Sequence, residues 1–124
     1  MTVARAMRRT FGGALAEYDV TPGQAHALRV AGHLESARLS ELAERLRIAP
    51  RSATEVVDAL EGRGLVERRP DPHDRRATCV VLSDEGRRLL EVMGERRREA
   101  TEAYLGGLSA SDRAELDRIL RLLV

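Results

Sequence analysis

Two short apolar stripes separated by a tight gap constrain this chain more than any other feature. Leu42, Ala43 and Leu46 form the first, and Ala53, Val57 and Leu60 the second, each at the spacing of one helix face. Ser40 is placed to cap the first helix, and Glu41 falls in its first turn, where the helix dipole favours an acid. Arg47 to Ala49 predict a brief turn. Pro50 suits the first position of the second helix. Gly62 and Gly64 end that helix, Gly64 as a left-handed cap. Two helices joined by so short a turn make a helix-turn-helix.

The next segment extends that unit. Leu65 to Arg69 predict one short strand and Thr78 to Leu82 a second, with Thr78, Val80 and Leu82 on one face and Cys79 and Val81 on the other. Between them lies PDPHDRR, a loop too charged to bury itself, which must face water or a charged partner. A hairpin with a charged tip directly after a helix-turn-helix is a wing.

The flanks predict more helices. Met7, Phe11, Leu15 and Tyr18 form a stripe near the start, weakened by Gly12-Gly13. Thr21-Pro22-Gly23-Gln24 has the pattern of a capping box, and the helix it opens carries Ala25, Leu28, Ala31 and Leu34. Ser83 is placed to cap a long helix over roughly Asp84 to Leu105, which Gly106-Gly107 breaks. Ser109, with Asp112 three residues on, starts a last helix bearing Leu116, Ile119, Leu120 and Leu123. The fold class is therefore mainly α with a small β-hairpin wing. A chain of 124 residues fits one domain, 1–124. Within it, a winged helix-turn-helix lobe runs over about residues 36–83.

Composition narrows the chemistry. Aromatic residues are only 2% of the chain, so the core must be built from Leu, Val, Ala and Met. All 21 basic residues are arginine, yet the net charge is +1, so any case for a nucleic-acid partner rests on where charges sit and not on their sum. Arginine's planar fork of donors matches phosphate and guanine edges. Cys79 is the one cysteine and can form no intrachain disulfide, which fits a cytoplasmic setting; it reads as an inert thiol. No apolar run approaches the ~20 residues needed to span a bilayer, so no membrane partner is expected. No nucleophile–base constellation, phosphate-binding glycine loop or metal spacing appears, so neither an enzyme nor a cofactor is expected. His26 and His33 share one helix face, but without an acid–cysteine cluster they predict no metal site.

Segment 39–86 resembles the winged helix-turn-helix of the MarR family of bacterial transcription regulators. The matching blocks are Leu39-Ser40-Glu41-Leu42-Ala43, Val57-Asp58-Ala59-Leu60-Glu61, Gly64-Leu65-Val66-Glu67-Arg68, Asp74-Arg75-Arg76 and Leu82-Ser83-Asp84-Glu85-Gly86. They are specific in combination and spacing. The flanking helices match the family plan, so the resemblance covers nearly the whole chain.

The resemblance implies a sequence-specific DNA-binding regulator, a repressor relieved by a small ligand. On such a fold Arg51 is the natural reader of guanine, and Ser52 and Thr54 can reach bases or phosphates. Glu55 stands where the family commonly has a basic residue; it can accept from a cytosine amino group or orient Arg51 across one helical turn. Asp58 is expected to pair with a neighbouring arginine. On the wing, Arg76 is expected in the minor groove, Asp74 as its support and Arg75 on phosphate. Pro70 and Pro72 limit the loop's freedom before binding. Ser40, at a helix N-terminus, can bring a backbone N–H to phosphate.

The family also binds small aromatic or phenolic effectors between its dimer helices and DNA-binding lobe. Tyr18, His26 and His33 either line such a pocket or serve only in packing. The last helix carries more apolar residues than one narrow stripe needs, which argues for an interface. Dimerisation helices are expected over about residues 1–20 and 100–124, with Met7, Phe11, Leu116, Ile119, Leu120 and Leu123 in a two-fold homodimer contact. Such a dimer selects a pseudo-palindromic operator in double-stranded DNA. The reading from another class is a winged-helix module that binds protein and not DNA. The near-neutral charge and Glu55 favour it.

Overall fold

Three hydroxyl caps set where the helices begin. Thr21 Oγ1 accepts from the Gln24 N–H at 3.1 Å while Gln24 Oε1 accepts from the Thr21 N–H at 3.1 Å, a complete capping box. It opens α2 (Pro22–Leu34), which follows α1 (Val3–Ala16). Ser83 and Ser109 accept from the N–H groups of Gly86 and Asp112 at 3.0 Å each. They open α5 (Asp84–Leu105) and α6 (Ala110–Arg121). Between α2 and α5 lie β1 (Ala37–Arg38), α3 (Leu39–Leu46), α4 (Pro50–Gly62), β2 (Val66–Pro70) and β3 (Thr78–Leu82). This computed structural model describes residues 2–124, and of residues 10–16 the backbone alone.

The helix-turn-helix, the hairpin and the two C-terminal helices stand where the sequence pattern puts them, with four differences. The last helix ends at Arg121, so Leu123 lies beyond it and not on its face. Tyr18 falls in the turn after α1 and not on its stripe, and β2 begins one residue later than expected. Ser40 is not a cap. The cap position is Arg38, with no side-chain bond, and Ser40 sits exposed inside the first turn of α3. The cause is β1, which hydrophobic periodicity does not announce because it is two residues long. Ala37 and Arg38 pair antiparallel with Val80 and Cys79. That pairing ends at Arg38, and the chain turns directly from the strand into the helix at Leu39, ahead of Ser40 and not after it.

The sheet has the order β1-β3-β2, all antiparallel, with Val66 opposite Leu82 and Pro70 opposite Thr78. Val80 and Leu82 face the core as expected. Cys79, on the other face, is buried as well. The core joins Leu28 of α2, Leu42 of α3, Val57 and Leu60 of α4, Val66 and Val80 of the sheet, and Met93 of α5. Alanines 25, 27 and 31 are fully buried on α2 and let it lie close to its neighbours.

The junction after α4 is a Schellman motif. The Leu65 N–H donates to the Leu60 carbonyl at 3.0 Å and the Gly64 N–H to the Glu61 carbonyl at 2.9 Å, with Gly64 at φ +72°. The Leu65 carbonyl then accepts the Ser83 N–H at 3.0 Å, and the Ser83 hydroxyl donates to the Gly64 carbonyl at 2.6 Å. The start of α5 is thus docked on the end of α4. Gly86 makes this possible, since a Cβ there would lie 2.0 Å from the Leu65 carbonyl oxygen. Gly86→Ala is expected to destabilise the fold by about 2 kcal/mol in urea denaturation, the overpacking cost outweighing the helix-propensity gain of up to about 1 kcal/mol. On the same helix, Gly94→Ala meets only the flexible end of Arg98 at 3.6 Å. That variant is expected to be neutral or more stable.

Candidate nucleic-acid interface

The outward face of α4 carries five of the residues singled out from the sequence, and its polar side chains differ in how free they are. The Thr54 hydroxyl donates to the Pro50 carbonyl at 3.1 Å. Asp58 takes Arg68 Nη2 at 2.5 Å, and Glu61 takes Arg68 Nη1 at 2.6 Å and the Arg68 N–H at 3.2 Å. Arg68 therefore brackets β2 to the C-terminal half of α4 and is the arginine that Asp58 was expected to find. Arg51 Nε stands 3.7 Å from Glu55 Oε1, with the Arg51 side chain 92% exposed. An exposed i,i+4 pair of this kind is worth about 0.3–0.5 kcal/mol. Ser52 is exposed.

The loop between β2 and β3 is pinned at its root by a residue that the charge pattern did not single out. Asp71 is only 6% exposed. Its carboxylate takes Arg38 Nε at 2.5 Å and the His73 N–H at 2.7 Å, and its own N–H donates to the Ala77 carbonyl at 3.0 Å. Nothing local marks Asp71 over Asp74. Its partner Arg38 is 33 positions away and reaches it only because β1 pairs with β3.

Asp74 supports the tip through the main chain. It accepts the Arg76 N–H at 3.0 Å through its carboxylate and the Ala77 N–H at 3.0 Å through its carbonyl. Among the described residues the Arg75 and Arg76 guanidiniums have no acidic partner, and both residues are exposed. The wing is thus a braced loop with two free cations at its end. Because β2 is bracketed to α4, the tip and the outward face of α4 belong to one rigid lobe.

The other candidate residues are more scattered. Tyr18 is half-buried and works as a clamp: its hydroxyl accepts from Arg96 Nε at 3.1 Å, and the Tyr18 and Asp19 carbonyls accept from Arg63 at 3.1 and 2.7 Å. His26 and His33 are exposed on α2. A cleft between α2, β3 and α5 is lined by Gly32, Glu35, Leu82, Arg87, Leu90 and Glu91 among others, but by none of these three. Met7, Ile119, Leu120 and Leu123 are exposed, Leu123 at 78%, and Leu116 is half-buried. The Phe11 side chain lies outside the described residues. Among the described residues no group of His, Cys, Asp and Glu has the arrangement of a metal site, and no helix is long and apolar enough to cross a membrane.

Asp71 links the wing to pH. The His73 N–H and then the Arg38 guanidinium hold its carboxyl below the usual carboxylate range. A group whose folded pKa is depressed stabilises the fold above its unfolded value, about 3.9 for Asp, and that contribution fades as pH falls through the lower folded value. Protection of the His73 amide from hydrogen exchange, corrected for intrinsic rate, is therefore expected to drop on acidification below about pH 4. Asp71→Ala, which has no side-chain acceptor, should show little protection at any pH. Equal protection of the wild type at pH 3 and pH 7 would refute the anchor.

Comparison with known proteins agrees with this architecture. Residues 20–78 match the model of the MarR family. The chain is 36% identical over 69 residues to the HTH-type transcriptional repressor NicR of Pseudomonas putida, a match covering 56% of this chain and 44% of that protein. It is 32% identical over 93 residues to the HTH-type transcriptional repressor MdtR of Bacillus subtilis, covering 75% and 60%. The chain spans about half the length of the curated relatives it matches. Its fold superposes on a MarR family protein from Bacillus stearothermophilus with a TM-score of 0.89 at 27% identity, covering 98% of this chain and 84% of that one. With the helix-turn-helix, the braced wing and the flanking helices all in place, the chain belongs to the MarR family.

Proposed function

We propose that the chain is a dimeric, sequence-specific DNA-binding transcription regulator: a repressor whose DNA affinity a small ligand lowers. The observation that carries this reading is the wing, whose two arginines are held out on a pinned loop with no acid to neutralise them. Arg76 enters the minor groove, where a narrow A·T-rich segment strengthens the negative potential, and Arg75 meets phosphate. Asp74 orders the tip. Arg51, Ser52 and Glu55 face the major groove from the N-terminal turns of α4, and Thr54 contributes its acceptor oxygen and methyl group. The Ser40 N–H, in the first turn of α3, faces phosphate. Two relatives that are 32–36% identical are named transcriptional repressors, which supports the sign of regulation.

Support for the dimer comes from α6, which has no buried residue yet carries Ile119 and Leu120 on its surface, and from the exposed Leu123 just beyond its end. A second copy of the chain covers that apolar surface together with Met7, Phe11 and Leu116. A two-fold axis there places two α4 helices on successive major-groove faces, about 34–36 Å apart, and matches a pseudo-palindromic site. A small aromatic or phenolic effector bound near Tyr18, His26 and His33 acts by preferring a spacing of the two lobes that DNA does not accept. Its effect is limited to its differential affinity for the two states.

Electrophoretic titration of duplex DNA over a salt series tests the reading. Affinity is expected to fall steeply with salt, and Arg76→Ala to lower it about tenfold with fold and dimer intact. Affinity that ignores salt, or no binding, would favour a protein-binding winged helix. Leu120→Asp is expected to shift sedimentation toward the monomer; a stable native-like dimer in that variant would refute the interface.

A further inference from the structure

The outward face of α4 contains an acid where a duplex presents negative charge. Two of the polar side chains on that face are occupied within the fold, Thr54 by its donation to the Pro50 carbonyl and Asp58 by Arg68. Arg51, Ser52 and Glu55 remain available on the first turns. The Arg51–Glu55 contact is 3.7 Å long, and the two side chains are 92% and 70% exposed, so it opens readily when a better partner arrives. An ionised Glu55 can only accept hydrogen bonds. Phosphate offers it no donor and repels it.

The donors in the major groove are the amino groups of cytosine and adenine. Beside the adenine amino group lies the N7 lone pair, which repels the second carboxylate oxygen. On its own base, the cytosine amino group has only a carbon-bound hydrogen beside it. In a G·C pair that amino group adjoins guanine O6, which with N7 is the acceptor pair that fits an arginine fork. We propose that Arg51 and Glu55 jointly read one G·C pair in each half-site, Arg51 donating to guanine and Glu55 accepting from cytosine. The two remain close enough to attract each other while doing so. The carboxylate also weakens binding wherever no cytosine faces it, so it raises the ratio of specific to non-specific affinity. This inference rests on the DNA-binding reading of the same face.

The test is selection from a random duplex pool with the full chain as wild type, Glu55→Gln and Glu55→Ala. Glu55 is exposed and bonds no core group, so the variants are expected to melt like the wild type. The wild type should enrich one G·C pair per half-site, with about tenfold discrimination at that position. Glutamine bonds the adenine amino group and N7 together. Glu55→Gln should therefore turn the cytosine preference into an adenine preference at the same position, at the expense of the Arg51–guanine contact. Glu55→Ala should weaken the G·C preference to what Arg51 alone supplies while raising non-specific affinity. If Glu55→Gln keeps the wild-type G·C preference, or loses it without gaining adenine in place of cytosine, Glu55 merely orients Arg51 and the proposal falls. A wild type that binds duplex and selects bases, but none at this position, also overturns it. A wild type that binds no duplex overturns the DNA-binding reading itself.

Discussion

One carbonyl group joins the parts that have to move together. Leu65 follows the left-handed Gly64, and its carbonyl takes the Ser83 N–H while lying against Gly86. The end of α4, the start of β2 and the start of α5 therefore meet at a single point with no side chain between them. Backbone-to-backbone contact of this kind tolerates almost no displacement, because close-packed interiors do not yield smoothly. The direction of α4, the reach of the hairpin and the departure angle of α5 are all set there. The Arg68 bracket adds a second constraint between α4 and β2, and the core residues Val57, Leu60 and Val66 a third.

Charge is distributed to the same end. A net charge of +1 sets 21 arginines against 20 acids, and much of that charge is paired locally. On the long helices this is visible pair by pair, as in Arg96 with Glu17 and Glu99, Arg118 with Glu115, and Arg121 with Asp117. Exposed pairs of this kind add little stability. Their effect is to leave the whole-protein field weak, so that the wing tip stands out from its surroundings. The acids nearest that tip are turned elsewhere: Asp71 faces Arg38 and Asp74 bonds the main chain. A cation that needs no rearrangement before meeting an anion binds at lower ordering cost.

Much of this architecture was legible in residue order because its signals are local. Capping hydroxyls at Thr21, Ser83 and Ser109, the proline at the start of α4 and the left-handed Gly64 each act within a few positions along the chain. Helix stripes and the alternation of Thr78 to Leu82 are local as well. The loop's exposure follows from its charge alone. What escaped was non-local. The two-residue β1 has no period to detect, and its end at Arg38 puts the start of α3 ahead of the hydroxyl that sequence would have made the cap. Asp71 and Asp74 look alike in the chain, yet only the first is buried.

Residue order by itself determined the helix-turn-helix, the hairpin, the charged tip and the apolar last helix, because propensity, capping and periodicity operate over a few residues and need no partner. Only the tertiary structure decided which acid anchors the wing, which arginine ties the hairpin to α4, and which side chains on α4 remain free. Those outcomes depend on residues 7 to 33 positions apart being brought within hydrogen-bond distance. No local rule can rank one such acid above another until packing has placed its arginine.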